Sequence, residues 1–347
     1  MINLVIIGAG YISKEHLKAL KAIKEFNLVG IHSRTFSKAQ ILSKQFKIKN
    51  TYKSISEMFS NEKPDAVAVF VSAENMYKVL SQVIKYKTPV FFEKPAGLTF
   101  KETQKLYELS VKYKTKNMVA LNRRFYSVFN KGINFLKKNG GVNGFLIEGH
   151  ERFWKIKNSI NKKVYKNWLY ANGIHTIDLL RFFGGEVKKI KSFSNNKGSF
   201  KNFTISVKFK NNLIGTYISN WNSPGGWSVT LFGKGYTAIF KPLEKGFIID
   251  KKFKMKEIKP EKYDRKFKPG FYKQLMFFKN LVLSKRLENP AQNLGGLINT
   301  TKILRDIWNF YMKIQLHKPN FDLREIQLLK DCIKSGWVSN KGKYVNL

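Results

Sequence analysis

The chain has 347 residues, enough for two domains, and its longest apolar runs, Leu4–Ile7 and Ala66–Val71, are far shorter than the roughly 20 residues of a membrane-spanning helix. Because the N-terminus lacks a secretory pattern and the single cysteine, Cys332, excludes an internal disulfide, the composition predicts a cytoplasmic protein without a cysteine-based metal site. The net charge of +41 comes from lysines spread from Lys14 to Lys343, which excludes a localised basic stripe and argues against nucleic acid as a partner.

Residues 2 to 120 alternate between strand and helix patterns. Short apolar strands separated by amphipathic helices predict a parallel sheet covered on both faces, as in a doubly wound Rossmann domain. The predicted strands are Asn3–Ile7, Leu28–His32, Ala66–Val71, Val90–Glu93 and Asn117–Leu121, and the predicted helices are Lys14–Lys24, Phe36–Phe46, Met76–Lys85 and Lys101–Tyr113.

The pattern changes after Phe125. Strand-like segments separated by glycine-rich turns predict a second α/β domain with an open, mostly antiparallel sheet and helices on one face. The predicted strands are Phe145–Arg152, Ile190–Ser194, Phe203–Phe209, Gly215–Trp221, Ser228–Gly233, Thr237–Phe240 and Phe247–Asp250, and the predicted helices are Ser127–Lys138, Ile174–Phe183, Phe271–Leu283 and Gly295–Tyr311.

A glycine-containing turn joins the first predicted strand to the first helix. Gly8 permits the tight turn, Gly10 lets the backbone approach a pyrophosphate, and Ser13 is small enough to replace the third glycine of the dinucleotide fingerprint. The helix N-terminus then offers amides and a positive dipole end to the anion. We therefore predict a nicotinamide dinucleotide site here, although a generic strand-to-helix turn would show the same glycines.

The end of the second strand lacks the acidic residue that usually bonds the ribose 2′-hydroxyl. Ser33 and Arg34 stand there, after His32. A hydroxyl beside a guanidinium would accept a 2′-phosphate, so NADP is slightly favoured over NAD. Stacking of Arg34 on adenine, or its exposure to solvent, is an equally open alternative.

A second motif, Glu93-Lys94-Pro95, follows a predicted buried strand. Lys94 would therefore emerge at the carboxyl edge of the sheet, where ligands bind in such folds. Its ammonium group could hydrogen-bond a reacting oxygen, and burial would tune its pKa. Taken alone, a lysine after a strand is more often a solvated surface group.

Together with His175 and Asp178, these motifs resemble the Gfo/Idh/MocA oxidoreductase superfamily over about residues 1–315. The resemblance implies a Rossmann domain, here residues 1–121, and a substrate-binding and oligomerisation α/β domain, here residues 122–315. It also implies NAD(P)-dependent oxidation or reduction of a sugar, a cyclitol or a nucleotide-linked sugar, with a homo-oligomer formed through the open sheet.

The resemblance assigns catalysis to Lys94 and His175. His175 would take the proton of the substrate hydroxyl, while Lys94 would stabilise the developing alkoxide. Many members have an aspartate four residues before this histidine, where this chain has Ala171. Asn172 is polar but cannot act as a base, and Asp178 could either orient His175 or pair within its helix.

Further contacts are expected around these two residues. Arg123 or Arg124 could hold a phosphate or carboxylate, or instead pair with acidic side chains between domains, and Tyr126 could bond a sugar hydroxyl. Trp168, Trp154 and Tyr170 could form an aromatic wall for a sugar or belong to the core. The predicted cofactor contacts are Gly8, Gly10, Tyr11, Ile12, Ser13, Ser33, Arg34, Ser72, Glu93 and Lys94, and the predicted substrate contacts are Arg123, Arg124, Tyr126, Trp168, Asn172, His175 and Asp178.

Residues 318–347 resemble the opening of a DegT/DnrJ/EryC1-type aminotransferase. The resemblance depends on Glu325, on the segment 335–339 (Ser-Gly-Trp-Val-Ser), and on Gly342 and Val345. It implies a truncated fusion, residues 316–347, that holds no pyridoxal phosphate and is linked functionally to an aminotransferase. An ordinary amphipathic helix with a loop is the alternative.

The sequence thus predicts an oxidoreductase that converts a ring hydroxyl of a nucleotide-linked sugar to a ketone, or the reverse, in surface-polysaccharide or amino-sugar biosynthesis. The positive charge favours such an anionic substrate. A cyclitol or free-sugar dehydrogenase and a non-catalytic NADP-binding regulator on the same fold are the alternatives.

Overall fold

The computed structural model describes residues 1–156, 158–195, 202–311 and 323–336. Met1–Tyr311 and Met312–Leu347 form two separate compact units. In the second unit, the described residues include a helix, Leu323–Lys334. Across the described ranges, every helix is too short or too polar to cross a bilayer.

The first part of the chain forms a six-stranded parallel sheet with strand order β3-β2-β1-β4-β5-β6, so the predicted doubly wound sheet is confirmed. Its elements are β1 (Ile2–Ile7), α1 (Tyr11–Leu20), β2 (Phe26–His32), α2 (Phe36–Phe46), β3 (Asn50–Tyr52), α3 (Ile55–Glu62), β4 (Ala66–Val69), α4 (Ala73–Val83), β5 (Val90–Glu93), α5 (Phe100–Lys112) and β6 (Asn117–Ala120). The sequence analysis missed β3, a three-residue edge strand, and α3.

Alternating side chains of β1 enter two different cores. Leu4 and Ile6 pack with α1, α2 and a helix from late in the chain, whereas Val5 and Ile7 pack into a larger core on the other face. All four are buried, because a strand in a doubly covered sheet turns successive side chains to opposite faces. This explains why the strand reads as a continuous apolar run.

The second sheet has eight strands in the order β14-β13-β12-β11-β7-β10-β9-β8, with β7 and β10 parallel and its other neighbours antiparallel. The predicted mostly antiparallel sheet is therefore confirmed. Its elements and the helices around it are α6 (Ser127–Lys138), β7 (Val142–Gly149), α7 (Phe153–Ile156), α8 (Lys162–Lys166), α9 (Ile174–Gly184), β8 (Val187–Asn195), β9 (Asn202–Phe209), β10 (Ile214–Asn220), β11 (Trp227–Gly233), β12 (Tyr236–Phe240), β13 (Gly246–Asp250), β14 (Met255–Ile258), α10 (Lys262–Lys266), α11 (Phe271–Ser284) and α12 (Leu294–Tyr311).

Two late helices return to the first sheet. α11 packs on α1 and places Leu275 and Phe278 in the core that contains Leu4, while α12 packs against both α5 and α9. The larger core accordingly runs without interruption from β1 to the second sheet. The division into residues 1–121 and 122–315 stays a prediction, since the covering layer of the first sheet includes residues from both ranges.

Candidate functional site

The turn between β1 and α1 is shaped by its two glycines. Gly8 has φ +112°, and a Cβ there would lie 2.4 Å from the carbonyl oxygen of Phe70, so no other residue fits without rearrangement. At Gly10 an added Cβ would meet no atom within 4 Å. Gly8 therefore satisfies a constraint of the fold, whereas Gly10 leaves open space in front of the N-terminus of α1.

The residues after these glycines have different surroundings. Ser13 is fully buried, accepts a hydrogen bond from the Gly10 amide (3.2 Å) and donates one to the Phe70 carbonyl (3.3 Å), so it secures the turn from behind. Tyr11 is 72% exposed. Ile12 reaches the cavity that contains Lys94.

A cavity of about 390 Å³, which we call the cofactor cavity, opens beside this turn. Ser33, Arg34 and Ser72 line it, as the sequence analysis expects. Lys38 and Lys78 add two further cations, and none of the described residues that line it is acidic. The cavity therefore presents several positive groups to a phosphate.

A buried pair lies beneath Lys94. The Glu93 carboxylate contacts Nε2 of His16 at 2.7 Å and accepts the backbone N–H of Lys94 at 3.1 Å. The His16 ring is stacked between Phe70 and Phe271, at 4.2 Å from each. Burial alone would raise the pKa of Glu93, but the His16 hydrogen bond and nearby cations lower it below its usual value. Glu93 thus fixes the start of the Lys94 turn with its side chain already engaged.

Lys94 and His175 meet in a second cavity of about 390 Å³, the reaction cavity. It adjoins the cofactor cavity, because Val71 lines both. The residues that line the reaction cavity are Ile12, Val71, Ala73, Glu93, Lys94, Pro95, Asn122, Arg123, Val164, Trp168, Ala171, Asn172, His175, Lys268 and Phe271. A dinucleotide at the glycine turn would therefore extend toward both predicted catalytic residues.

The Lys94 ammonium group is held by backbone from the facing segment. Its Nζ donates to the carbonyl oxygen of Ala171 at 2.8 Å. Ala171 lies in a single π-helical turn, Leu169–Gly173, directly before α9, and such turns are frequent at functional sites. Burial lowers the pKa of Lys94 to about 8, with Arg123 and Lys268 acting in the same direction and Glu93 opposing them.

His175 is buried against a guanidinium group. Nη1 of Arg123 lies 3.0 Å from Nδ1 and 2.8 Å from Nε2 of the imidazole. Only one nitrogen of a neutral imidazole can accept a hydrogen bond, so the two short distances show that the guanidinium group lies against the ring. Burial first, and then the charges of Arg123, Lys94 and Lys268, lower the pKa of His175 well below its usual value. The imidazole is therefore neutral at pH 7.

Arg123 is itself placed by its neighbours. Its Nη1 donates to the Asn122 side-chain oxygen at 2.7 Å, and its guanidinium lies 5.2 Å from the centre of the Trp227 ring. Its Nε is buried and has no hydrogen-bond partner among the described residues. Arg123 also lines the reaction cavity, so its guanidinium group can donate to an anionic or hydroxyl group there.

Three predicted substrate contacts are not among the residues that line the reaction cavity. Arg124 and Asp178 are buried and form a two-pronged ion pair at 2.6 and 2.9 Å, with Thr300 donating to Asp178 at 2.8 Å. Tyr126 is buried and donates to Glu244 at 3.2 Å. Because the charges of Arg124 and Asp178 are paired inside the fold, neither is free to bind a substrate.

A third cavity of about 380 Å³, the distal cavity, continues from the reaction cavity, with Trp168 and Asn172 lining both. It is formed by the segment after β7, the turn before β11 and the segment after β12. The residues that line it are His150, Glu151, Arg152, Lys155, Ile156, Trp168, Asn172, Gly225, Gly226, Trp227, Pro242, Leu243 and Glu244. Trp154 is 47% exposed and Tyr170 is in the core, so the predicted aromatic wall is reduced to Trp168, which Trp227 joins.

The sequence analysis missed Glu151, Trp227 and Lys268. It extended the β7 strand to Arg152, whereas the strand ends at Gly149. The polar and charged residues 150–152, at the end of the predicted strand, were the available signal. Trp227 and Lys268 carry no local motif, and only the tertiary structure brings them to the cleft.

Two family models match the chain. Residues 2–121 match the model described as oxidoreductase family, NAD-binding Rossmann fold, and residues 147–238 match the GFO/IDH/MocA C-terminal domain. Neither these ranges nor the similar proteins support an aminotransferase segment at residues 316–347. Part of that expectation, including Trp337 and Val345, lies outside the described residues.

The chain spans about half the length of the curated relatives it matches. It is 24% identical over 199 residues to an uncharacterized oxidoreductase of Synechocystis, with 54% of this chain and 53% of that protein covered. It is 27% identical over 188 residues to the myo-inositol 2-dehydrogenase of Thermotoga maritima, with 52% and 54% covered.

Solved structures of dehydrogenases share the fold. The dehydrogenase MviM of Clostridium difficile aligns with a TM-score of 0.75 and 22% identity, covering 89% of this chain and 99% of that one. The UDP-N-acetylglucosamine 3-dehydrogenase GnnA of Acidithiobacillus ferrooxidans aligns with a TM-score of 0.69 and 15% identity, covering 88% and 96%. A levoglucosan dehydrogenase in complex with NADH and L-sorbose has a TM-score of 0.73 and 14% identity, covering 89% and 96%.

Proposed function

The chain belongs to the Gfo/Idh/MocA oxidoreductase family, and from this premise we propose that it is an NAD(P)-dependent enzyme that oxidises a ring hydroxyl of a sugar or reduces the corresponding ketone. The observation that carries the proposal is the meeting of Lys94 and His175 in one cavity that adjoins the cofactor cavity. An ammonium and a neutral imidazole beside a dinucleotide site are the groups that alcohol oxidation requires.

The residues present fit a dinucleotide. The open space at Gly10 and the amides that begin α1 would hold the pyrophosphate, and the cofactor cavity would hold the adenosine half. We propose NADP as the preferred cofactor, because Arg34, Lys38 and Lys78 surround the place of the 2′-phosphate and no carboxylate opposes it there among the described lining residues. When bound, the nicotinamide would supply the hydride acceptor.

The two predicted catalytic residues act on the substrate hydroxyl. Lys94, protonated below its pKa of about 8, stabilises negative charge on the oxygen as the carbonyl group develops. His175 contacts the same hydroxyl as a neutral imidazole and withdraws its proton. Arg123 orients the imidazole and, as a lining residue of the reaction cavity, can donate to a second substrate oxygen.

We propose a nucleotide-linked sugar as the substrate. The distal cavity adjoins the reacting groups, presents Trp168 and Trp227 as surfaces for a sugar, and carries Arg152 and Lys155 as partners for a diphosphate. GnnA, with a similar fold, acts on UDP-N-acetylglucosamine. The similarity to a myo-inositol 2-dehydrogenase favours a second candidate, a cyclitol or free sugar, which would leave Arg152 and Lys155 without a role.

A panel assay distinguishes these substrates. The purified chain would be incubated with NAD or NADP and with UDP-, GDP- and dTDP-linked sugars, myo-inositol or free hexoses, and reduced nicotinamide would be followed by absorbance. Turnover of a nucleotide-linked sugar, and its loss in His175→Ala with cofactor affinity retained, is the expected result. Undiminished turnover in His175→Ala would refute the assignment of this residue.

We also propose that the face of the eight-stranded sheet opposite α6 and α9 mediates homo-oligomer formation. Along β9 and β10, side chains on this face alternate with buried side chains on the core face. A monomer in sedimentation equilibrium at micromolar concentration would contradict it. Because the aminotransferase-like tail lacks support, no aminotransferase partner is proposed.

A further inference from the structure

A buried carboxyl group without a role in the proposed function lines the distal cavity and interacts electrostatically with Lys94. Glu151 follows the end of β7, and its amide donates to the Asn220 carbonyl at 3.1 Å, which fixes its backbone beside β10. The residue is 7% exposed. Both of its carboxylate oxygens accept from Nδ2 of Asn172, at 3.0 and 3.2 Å.

This contact ties Glu151 to the facing wall of the reaction cavity. Asn172 belongs to the same π-helical turn as Ala171, whose carbonyl oxygen holds the Lys94 ammonium group. Asn172 also lines both the distal and the reaction cavities. A substrate that spans the two cavities would therefore present hydroxyl groups to Lys94 and to Glu151 together.

The charges around Glu151 are mixed. Lys94 acts on it from the reaction cavity, while His150, Arg152, Lys155 and Glu244 line the distal cavity with it. Burial raises the pKa of Glu151 to about 7, partly offset by Trp168, Asn172, Trp227 and Lys94. A carboxyl group that changes protonation near neutral pH is suited to general acid–base catalysis.

His175, by contrast, is a poor place for a proton to stay. A protonated imidazole would lie against the Arg123 guanidinium, and the charges of Arg123, Lys94 and Lys268 all disfavour it, with no acidic residue among the described groups that shift its pKa. Ala171, in the turn that precedes α9, has no side-chain group that could take up a proton. The site therefore needs another group that can take up the proton released by oxidation.

We propose that Glu151, which Asn172 joins to the turn that holds Lys94, accepts the substrate proton. The inference rests on the proposed function. During oxidation the substrate O–H bond breaks, and its proton passes through His175 to the Glu151 carboxylate, which becomes a carboxylic acid. The electron pair of the carbinol C–H bond leaves with the hydride that oxidised nicotinamide accepts, and a C=O bond forms.

The first test is the pH dependence of oxidation. With UDP-N-acetylglucosamine and myo-inositol as probes, kcat/KM of the wild-type chain should rise through about pH 7 as Glu151 loses its proton and fall above about pH 8 as Lys94 does. Glu151→Gln keeps the hydrogen bond from Asn172 but should lower kcat on the order of 10²–10⁴-fold and abolish the rise near pH 7.

Glu148→Gln is the matched control. Glu148 lies in β7, and its carboxylate is engaged by Ser228 and His150 rather than by the reaction cavity. This variant should retain the wild-type pH profile. An unchanged rise near pH 7 in Glu151→Gln, even with a lower rate, would assign Glu151 a structural role and overturn the proposal.

A stability measurement tests the same carboxyl group without cofactor or substrate. Folding raises the pKa of Glu151 from 4.5 to about 7, so between these pH values the folded chain holds a proton that the unfolded chain has released. The free energy of unfolding of the wild type therefore falls as pH rises toward 7. The Tm of Glu151→Gln minus the Tm of the wild type should therefore increase between about pH 5 and about pH 8. An equal pH dependence of the two Tm values would overturn the inference. If the Tm difference changes with pH as expected but the wild type reduces no nicotinamide, the proposed function is refuted instead.

Discussion

Gly8, Gly10 and Lys94 lie on one wall of the joined cavities, which is built from the ends of parallel strands of one sheet. The opposite wall joins distant segments, among them Glu151 after β7 and Trp227 at the start of β11. On the first wall each residue is placed by its own strand and turn. On the second, each is placed by long-range packing. Local sequence therefore specifies the cofactor side, and the substrate side can change without disturbing it.

The largest effect is expected when the Lys94 ammonium group is removed from the first wall. Lys94→Met should lower kcat on the order of 10²–10⁴-fold, because the ammonium group that stabilises the alkoxide would be lost, while NADP affinity stays within about twofold. Steady-state kinetics and calorimetric titration of NADP measure the two effects. Lys268→Met removes a second cation from the same cavity, and an equal loss there would mean that only the overall field matters.

The buried ion pair behind the second wall should be the next most sensitive element. Asp178→Asn leaves the Arg124 guanidinium buried without a counter-charge and should lower the free energy of unfolding by about 3–5 kcal/mol in urea titrations. Glu261→Gln disrupts the exposed pair with Lys131 and should cost less than about 1 kcal/mol. Similar losses in both variants would contradict the distinction.

Substitution of the two glycines of the first wall should have different effects, one on stability and the other on cofactor binding. Gly8→Ala places a Cβ against the Phe70 carbonyl at a positive φ and should destabilise the fold by about 1–3 kcal/mol. Gly10→Ala occupies only open space, so it should leave Tm unchanged and weaken NADP binding. Thermal unfolding and calorimetry distinguish the two, and a large Tm loss in Gly10→Ala would refute this division.

The smallest expected effect concerns cofactor choice. Arg34→Ala should raise KM for NADP about tenfold, or about 1.4 kcal/mol, because one of several cations near the 2′-phosphate is lost. KM for NAD should change little. Equal increases for NAD and NADP would instead indicate that Arg34 stacks on the adenine ring.

Several elements were predictable to the residue. Phe36–Phe46, Val90–Glu93 and Ser127–Lys138 have the same bounds in the sequence analysis and in the structure. Each has either a clear apolar periodicity or a continuous apolar run, and polar or turn-forming residues follow at its ends. β3 and β14 escaped prediction because they are short edge strands, which bury too few apolar side chains to give a pattern.

The sequence by itself determined the doubly wound sheet, the glycine turn and the position of Lys94 at a strand end, since these depend on residues close together in the chain. Only the tertiary structure decided that Arg124 pairs with Asp178 and that Arg123, the adjacent arginine, reaches His175. It also decided that Glu151 bonds Asn172, in the same turn as the carbonyl group that holds Lys94. Such pairings depend on how separate elements pack, because a buried charge pairs with the partner that the fold brings close to it. The spacing of two residues in the sequence does not determine their distance in the structure.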